Sequence, residues 1–298
     1  MKRPLTLVLL STLAPALLSN AQAADPISFN VATGSPTGTY SAMFKNIGRV
    51  CTGSAYLKER GTGGSLDNID LLMNNEVSLA FVQSDVLKAR QQIDGDPRVA
   101  NIKALLPLYD EEIHIFAKPP VTSKSFLGKT TVTGVQTFND LKDKRVAAWG
   151  GSVITAKVLS AKLTVPYSIV PVKDQPAAFA ALNAGTVDAV LAVIGQPAAW
   201  VKGLTGVRLV PLPFSPPLEG IYTSAKLLYP NLSVSGVPTV AVQSVLVTRD
   251  FKTPDRKDRL LTYKKCAEGK LVNLQEDEGM HPKWQQVTFK TWPWPEYR

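Results

Sequence analysis

Residues 27–44 (ISFNVATGSPTGTYSAMF) and residues 144–159 (KRVAAWGGSVITAKVL) follow one plan: an apolar strand, a Gly-rich turn, then a helix start carrying Thr. Each copy has a matching close. Residues 72–85 (LMNNEVSLAFVQSD) align without a gap on residues 182–195 (LNAGTVDAVLAVIG), both reading helix end, small turn, Val, apolar strand, polar loop. This βαβ rhythm predicts an α/β fold of two lobes with mostly parallel sheets and equivalent loops. Open α/β sheets bind ligands at the carboxyl ends of their strands. Two such lobes facing each other would enclose one small molecule in the cleft between them.

At 298 residues, with 45% hydrophobic and 19% charged residues, the composition is that of a globular protein with a sizeable core. Residues 1–23 stand apart. Lys2 and Arg3 precede an apolar run from Leu5 to Leu18 and then Ala21-Gln22-Ala23, the pattern of a secretory signal cleaved after Ala23. The expected mature chain starts at Ala24 and is periplasmic, since no later stretch approaches the roughly 20 apolar residues of a membrane span. Without Lys2 and Arg3 the chain keeps 31 basic against 24 acidic residues. The basic cluster at residues 249–270 is interleaved with Asp and Glu and reads as a solvated helix face, so no nucleic-acid partner is expected. The surplus does favour anionic ligands. Cys51 and Cys266 in an exported chain are expected to form a disulfide, with two buried free thiols as the alternative.

Residues 113–117 (IHIFA) and 240–247 (VAVQSVLV) each run from an apolar strand into a polar turn and read as crossovers between lobes. On that reading lobe I comprises residues 24–117 and 243–298, and lobe II residues 118–242. Residues 211–238, rich in Pro, Ser and Gly with a weakly helical TSAKLLYPN, read as a long excursion over lobe II. The aromatics of the C-terminal tail are expected to pack on lobe I.

Catalytic and metal motifs are missing from the sequence. His114 lies in an apolar run and reads as a core histidine, and His281 before Pro282 reads as a helix boundary. There is no G-x-S-x-G elbow, no metal-ligand spacing and no complete phosphate loop. No enzyme activity, cofactor or metal is expected. What remains is a set of loops dense in hydroxyls and amides. In ATGSPTGTY, Ser35, Thr37, Thr39 and Tyr40 surround a helix start whose free N–H groups attract a carboxylate. In GTGGSLDN, Ser65 reads both as an N-cap and as a ligand contact, with Asn68 one turn in. Gln83 ends one strand. Ser152 and Thr155 follow the Gly150-Gly151 pair, Gln196 follows the last strand of the second copy, and Trp149 either walls the pocket or is core.

At ATGSPTGTY, TGGSLDNIDLLMNNEVSLAFVQSDV, LYDEEIHI, VDAVLAVIGQP and VPTVAVQSVLVTR the sequence resembles the TAXI family, the solute-binding components of one class of TRAP transporters. The resemblance covers the mature chain in order. It implies a type II-like periplasmic-binding-protein fold that closes on a small organic anion, a dicarboxylate or acidic amino acid, and a monomer that delivers it to a membrane permease driven by an ion gradient. Ser35, Thr39 and Tyr40 match the family's first loop, Ser65 and Asn68 its second, Gln83 its third, and Ser152 and Thr155 more loosely, because WGGSVIT replaces the usual G-x-G-[ST] turn. The competing function is a ligand-sensing adaptor that presents its closed form to a membrane receptor or sensor kinase.

Overall fold

The computed structural model describes residues 27–290 and 292–298; the expected signal segment and its cleavage site lie outside them. In chain order the first part holds β1 (Ser28–Ala32), α1 (Thr39–Val50), β2 (Tyr56–Arg60), α2 (Ser65–Met73), β3 (Leu79–Gln83), α3 (Ser84–Gln92) and the long β4 (Ile102–Ala117). A hairpin of β5 (Val121–Lys124) and β6 (Thr130–Thr133) leads to β7 (Arg145–Ala148), α4 (Ser152–Leu163), β8 (Ser168–Pro171), α5 (Gln175–Ala184) and β9 (Ala189–Ile194). Then come β10 (Arg208–Leu209), β11 (Thr223–Leu227), the long β12 (Val237–Arg249), α6 (Pro254–Gly269) and α7 (Leu271–Glu276).

The sequence repeat is visible in the sheet. Its strand order is β2-β1-β3-β12-β4-β9-β7-β8. On one side β1 lies between β2 and β3, all parallel, and on the other β7 lies between β8 and β9, all parallel. The strands joining these triplets are antiparallel: β12 to β3, β12 to β4 and β4 to β9. The sheet is therefore mixed, and the expectation of mostly parallel pairing holds only within each triplet. The equivalence extends to single residues. Asn75 and Gly185, aligned in the repeat, both take positive φ, +63° and +71°, in the left-handed region that Asn and Gly tolerate best.

Burial follows the apolar pattern. The five residues of β3 are all buried, as a run covered on both faces must be, and α1 buries Tyr40, Met43 and Ile47 along one stripe. Phe29, Met43, Ile47, Phe81, Leu106 and Trp284 share one core, and Trp292 packs with Val86 and Val245 beside it, so the tail does cover this lobe. Ile113, Ile115 and Ala117, expected at the end of lobe I, pack instead with Val146, Leu159, Leu191 and Val240 in the second core. The two cores meet at polar residues inside the long strands, Asp110-Glu111-Glu112 in β4 and Gln243-Ser244 in β12. There the ladder slips between Gln243 and Val245, opposite Pro107 and Asp110. Pro107 has no N–H to donate, and Ser244 Oγ donates instead to the Tyr109 carbonyl at 3.0 Å.

TSAKL, read as helical, is strand β11, paired antiparallel along β12, because an open strand edge satisfies more of its backbone than a short isolated helix would. Cys51 at the end of α1 and Cys266 in α6 are bonded, with Cα atoms 5.8 Å apart. His114 is fully buried between the Glu112 carbonyl and the Tyr229 hydroxyl, and burial pushes its pKa down to about 3. His281 caps the turn that follows it, accepting from the Lys283 amide. Both histidines therefore have structural roles.

Candidate functional site

Three helices begin at the gap between the lobes, α1 after Gly38, α2 after Gly64 and α4 after Gly151, and none has a side-chain cap. Away from the gap, α5 is capped by Asp174, which accepts from the Ala177 amide. First-turn amides have no partner within their own helix and sit at the positive end of its dipole. A glycine cap supplies no side-chain oxygen. In α4 the Ser152, Val153 and Ile154 amides donate instead to the Trp149, Gly150 and Gly151 carbonyls at 3.1, 3.3 and 3.0 Å, so the amides left for an acceptor from outside the chain are those that open α1 and α2.

The gap encloses a cavity of about 100 Å³. Lobe I lines it with Gly34, Ser35, Thr39 and Tyr40, with Gly63, Gly64 and Ser65, and with Gln83. Glu111 comes from the waist, and Trp149, Gly151, Ser152, Val193 and Ile194 from lobe II. Among the described residues no lysine or arginine lines it. Inside, Tyr40 donates to Glu111 Oε2 at 2.6 Å and its oxygen lies 3.3 Å from Ser65 Oγ, which accepts from the Gln83 amide at 3.0 Å. Burial pushes the Glu111 carboxyl up to about 8, against the lowering effects of the Tyr40 hydrogen bond and the more distant Lys283 charge. Burial, then the neighbouring Glu111 charge, raises the Tyr40 phenol well above its ordinary value. Gln83 Oε1 is buried with no hydrogen-bond partner, an acceptor whose desolvation costs about 1–3 kcal/mol until a donor arrives.

The lobes are in contact. Thr39 Oγ1 donates to the Gly195 carbonyl at 3.3 Å, and Gln83 Nε2 reaches the Val193 carbonyl at 3.4 Å. Gln83 and Val193 are aligned positions of the repeat, so the two copies face each other here. Beside the cavity, buried Asp85 of lobe I accepts from Thr155 Oγ1 at 2.7 Å and from Tyr222 Oη at 2.9 Å, both in lobe II. Burial raises the Asp85 pKa, opposed by those two hydrogen bonds. A Cβ on Gly150 would lie 2.1 Å from the Gly63 carbonyl oxygen, and one on Gly151 2.2 Å from Gln83 Oε1. At Gly150, where the obstructing atom is backbone, a side chain would block this approach.

Of the residues expected at the site, Ser35, Thr39, Tyr40, Ser65, Gln83, Trp149 and Ser152 lie around the cavity. The others do not. Thr37 is exposed and pairs with Ser35 Oγ. Asn68 is fully buried and donates to the Thr33 and Phe81 carbonyls, tying α2 to the sheet. Thr155 is committed to Asp85. Gln196 bonds to Glu112 and Lys226 and accepts from Leu228. Ser65 is also not an N-cap: it is the first helical residue, and its hydroxyl serves Gln83 and Tyr40. Sequence reasoning missed Glu111. The available signal was three acidic residues interrupting the apolar run LLPLYDEEIHIFA. Among the described residues no group of three His, Cys, Asp or Glu could hold a metal.

Residues 31–211 match the model of the NMT1-like family. The amino-acid-binding protein AabA of Dichelobacter nodosus is 26% identical over 163 residues, which are 55% of this chain and 56% of that relative. The chain thus spans about half the length of the curated relative it matches. Among solved structures, the ligand-binding component of an ABC-type import system from Staphylococcus aureus superposes with a TM-score of 0.52 at 14% identity, over 89% of this chain and 80% of that one. The amino acid ABC transporter substrate-binding protein AbpA of Streptococcus pneumoniae, bound to L-arginine, gives 0.50 at 16%, over 89% and 97%. At such identities the likeness is one of fold. With the family match covering more than half its length, and with the two-lobe, type II-like fold of periplasmic binding proteins, the chain belongs to the NMT1-like family.

Proposed function

We propose that this protein is an extracytoplasmic solute-binding protein that closes its lobes on a single α-amino acid and delivers it to a TRAP-type permease. The carrying observation is the division of the cavity into two poles. Uncapped starts of α1 and α2 offer N–H donors to a carboxylate, while Glu111 and the unpartnered Gln83 Oε1 offer acceptors to an ammonium. A dicarboxylate fits less well, because among the described residues no lysine or arginine lines the cavity to meet its second charge. The amino-acid-binding name of the D. nodosus relative supports the same class. Delivery to a TRAP permease rests on the sequence motifs resembling the TAXI family.

The test is thermal unfolding against the common L-amino acids and, in parallel, their des-amino analogues such as succinate and glutarate. One amino acid is expected to raise the melting temperature, with stabilisation near 2.7 kcal/mol at about 100 times Kd, while its des-amino analogue does not. Stabilisation by the analogue alone would overturn the ligand class. Uptake reconstituted with a permease should require an ion gradient and not ATP. An ATP requirement would remove the TRAP assignment.

A further inference from the structure

The hairpin of β5 and β6 projects from the second lobe without packing on it: every residue from 121 to 134 is exposed. An isolated two-stranded hairpin is marginally stable in water. At its tip a turn closed by Ser125 N to Lys129 O, 2.8 Å, and Gly128 N to Ser125 O, 2.9 Å, carries Phe126 and Leu127. These side chains are 105% and 91% exposed. Adjacent large apolar side chains with no partner mark an interaction site more often than scattered single ones. Lys124 and Lys129 flank them, and residues 118–139 contain three lysines and no acidic residue.

The finger also lies far from the cleft. It leaves β4 after Ala117, which pairs with Ala189 at the start of β9, whereas the cavity lies at the other end of β9, at Val193 and Ile194. An occupant there would not obstruct capture. Self-association would bring two basic fingers together on a chain of formal charge +9, so like charge opposes it.

We propose that this hairpin is a membrane-surface anchor that lays Phe126 and Leu127 into the interface of an anionic phospholipid bilayer while Lys124 and Lys129 meet the phosphate headgroups. Two apolar side chains and a few lysines give a weak, reversible, salt-dependent association. That suits a protein that must also diffuse.

The test is cosedimentation of the purified protein with vesicles of phosphatidylcholine alone and of phosphatidylcholine with phosphatidylglycerol. The expected result is binding to the anionic vesicles only, lost on raising the salt and at least roughly tenfold weaker in Phe126→Ser/Leu127→Ser and in Lys124→Glu/Lys129→Glu. Far-UV circular dichroism and the melting temperature should match wild type in both variants, so that lost binding is not lost folding. Absence of binding to anionic vesicles would overturn the proposal, as would undiminished binding in the Phe126/Leu127 variant. Binding that appears only in membranes containing a permease would assign the finger to a protein partner and overturn it equally.

Discussion

Glu111 lines the cavity between the lobes, where on the proposed function its charge responds to the ligand. Its carboxyl titrates at about 8 in the folded chain against an ordinary 4.5, because burial disfavours the anion. Between those values the folded state holds a proton that the unfolded state has lost, so this group makes stability fall as pH rises from about 4.5 to about 8 and contributes no further slope above. Asp85, raised in the same direction, adds to the wild-type slope. Glu111→Gln should therefore flatten, without abolishing, the pH dependence of the urea midpoint; equal slopes in the two proteins would remove Glu111 from the account. The ligand prediction follows from the same carboxyl. To pair with an ammonium Glu111 must ionise, so an amino acid binding at pH 7 should release a proton, seen as a binding enthalpy that differs between phosphate and Tris buffers. Binding with no proton release would contradict the ammonium pole. The residues around the cavity were largely legible, because small hydroxyls after apolar strands have few other uses at aligned places in a repeat. Asn68, Thr155 and Gln196 have the same chemistry yet satisfy buried groups of the protein itself, a distinction that depends on three-dimensional neighbours. Glu111 escaped because it lies within a strand and not at a strand's end.

Among the elements, the glycine turns before α2 and α4 control how near the lobes approach. Gly150→Ala would place Cβ 2.1 Å from the Gly63 carbonyl oxygen, a backbone atom that cannot rotate away, and would hold alanine at a φ of +50°. The local conformation costs about 1 kcal/mol, but the obstruction acts only on the closed form. Affinity for the amino acid found in the thermal screen should fall at least tenfold, about 1.4 kcal/mol, in calorimetric titration, with the unliganded melting temperature little changed. Unaltered affinity would show that capture does not need this approach. The disulfide acts on a different equilibrium. It ties α1 to α6 across 215 residues of sequence, and Cys51→Ser/Cys266→Ser should cost about 2–5 kcal/mol in denaturant unfolding. A smaller loss would mean that the reduced unfolded chain is already constrained. The disulfide could be read from the cysteine count and the signal-like N-terminal segment alone. Strand β11 could not, since TSAKL has no clear period and becomes strand only because β12 offers an edge.

For the molecule as a whole, the repeat in the sequence became two parallel triplets joined through the long strands, β12 beside the first and β4 beside the second. The two-lobe architecture was legible from the paired motifs. The waist was not placed correctly on β4, because strand pairing continues through it and only packing separates the cores, with Ile113 on one side and Leu106 on the other. The ladder slip opposite Pro107 and Asp110 makes the waist the place where the two sheet halves can bend. On the proposed function the lobes close about this waist, and the Thr155 hydrogen bond to Asp85 ties them together once they meet. Closure is measured by solution scattering with and without that same amino acid, on wild type and on Gly150→Ala. The ligand is expected to reduce the radius of gyration of the wild type and to leave that of the variant expanded. A wild-type radius unchanged by saturating ligand would contradict capture by closure.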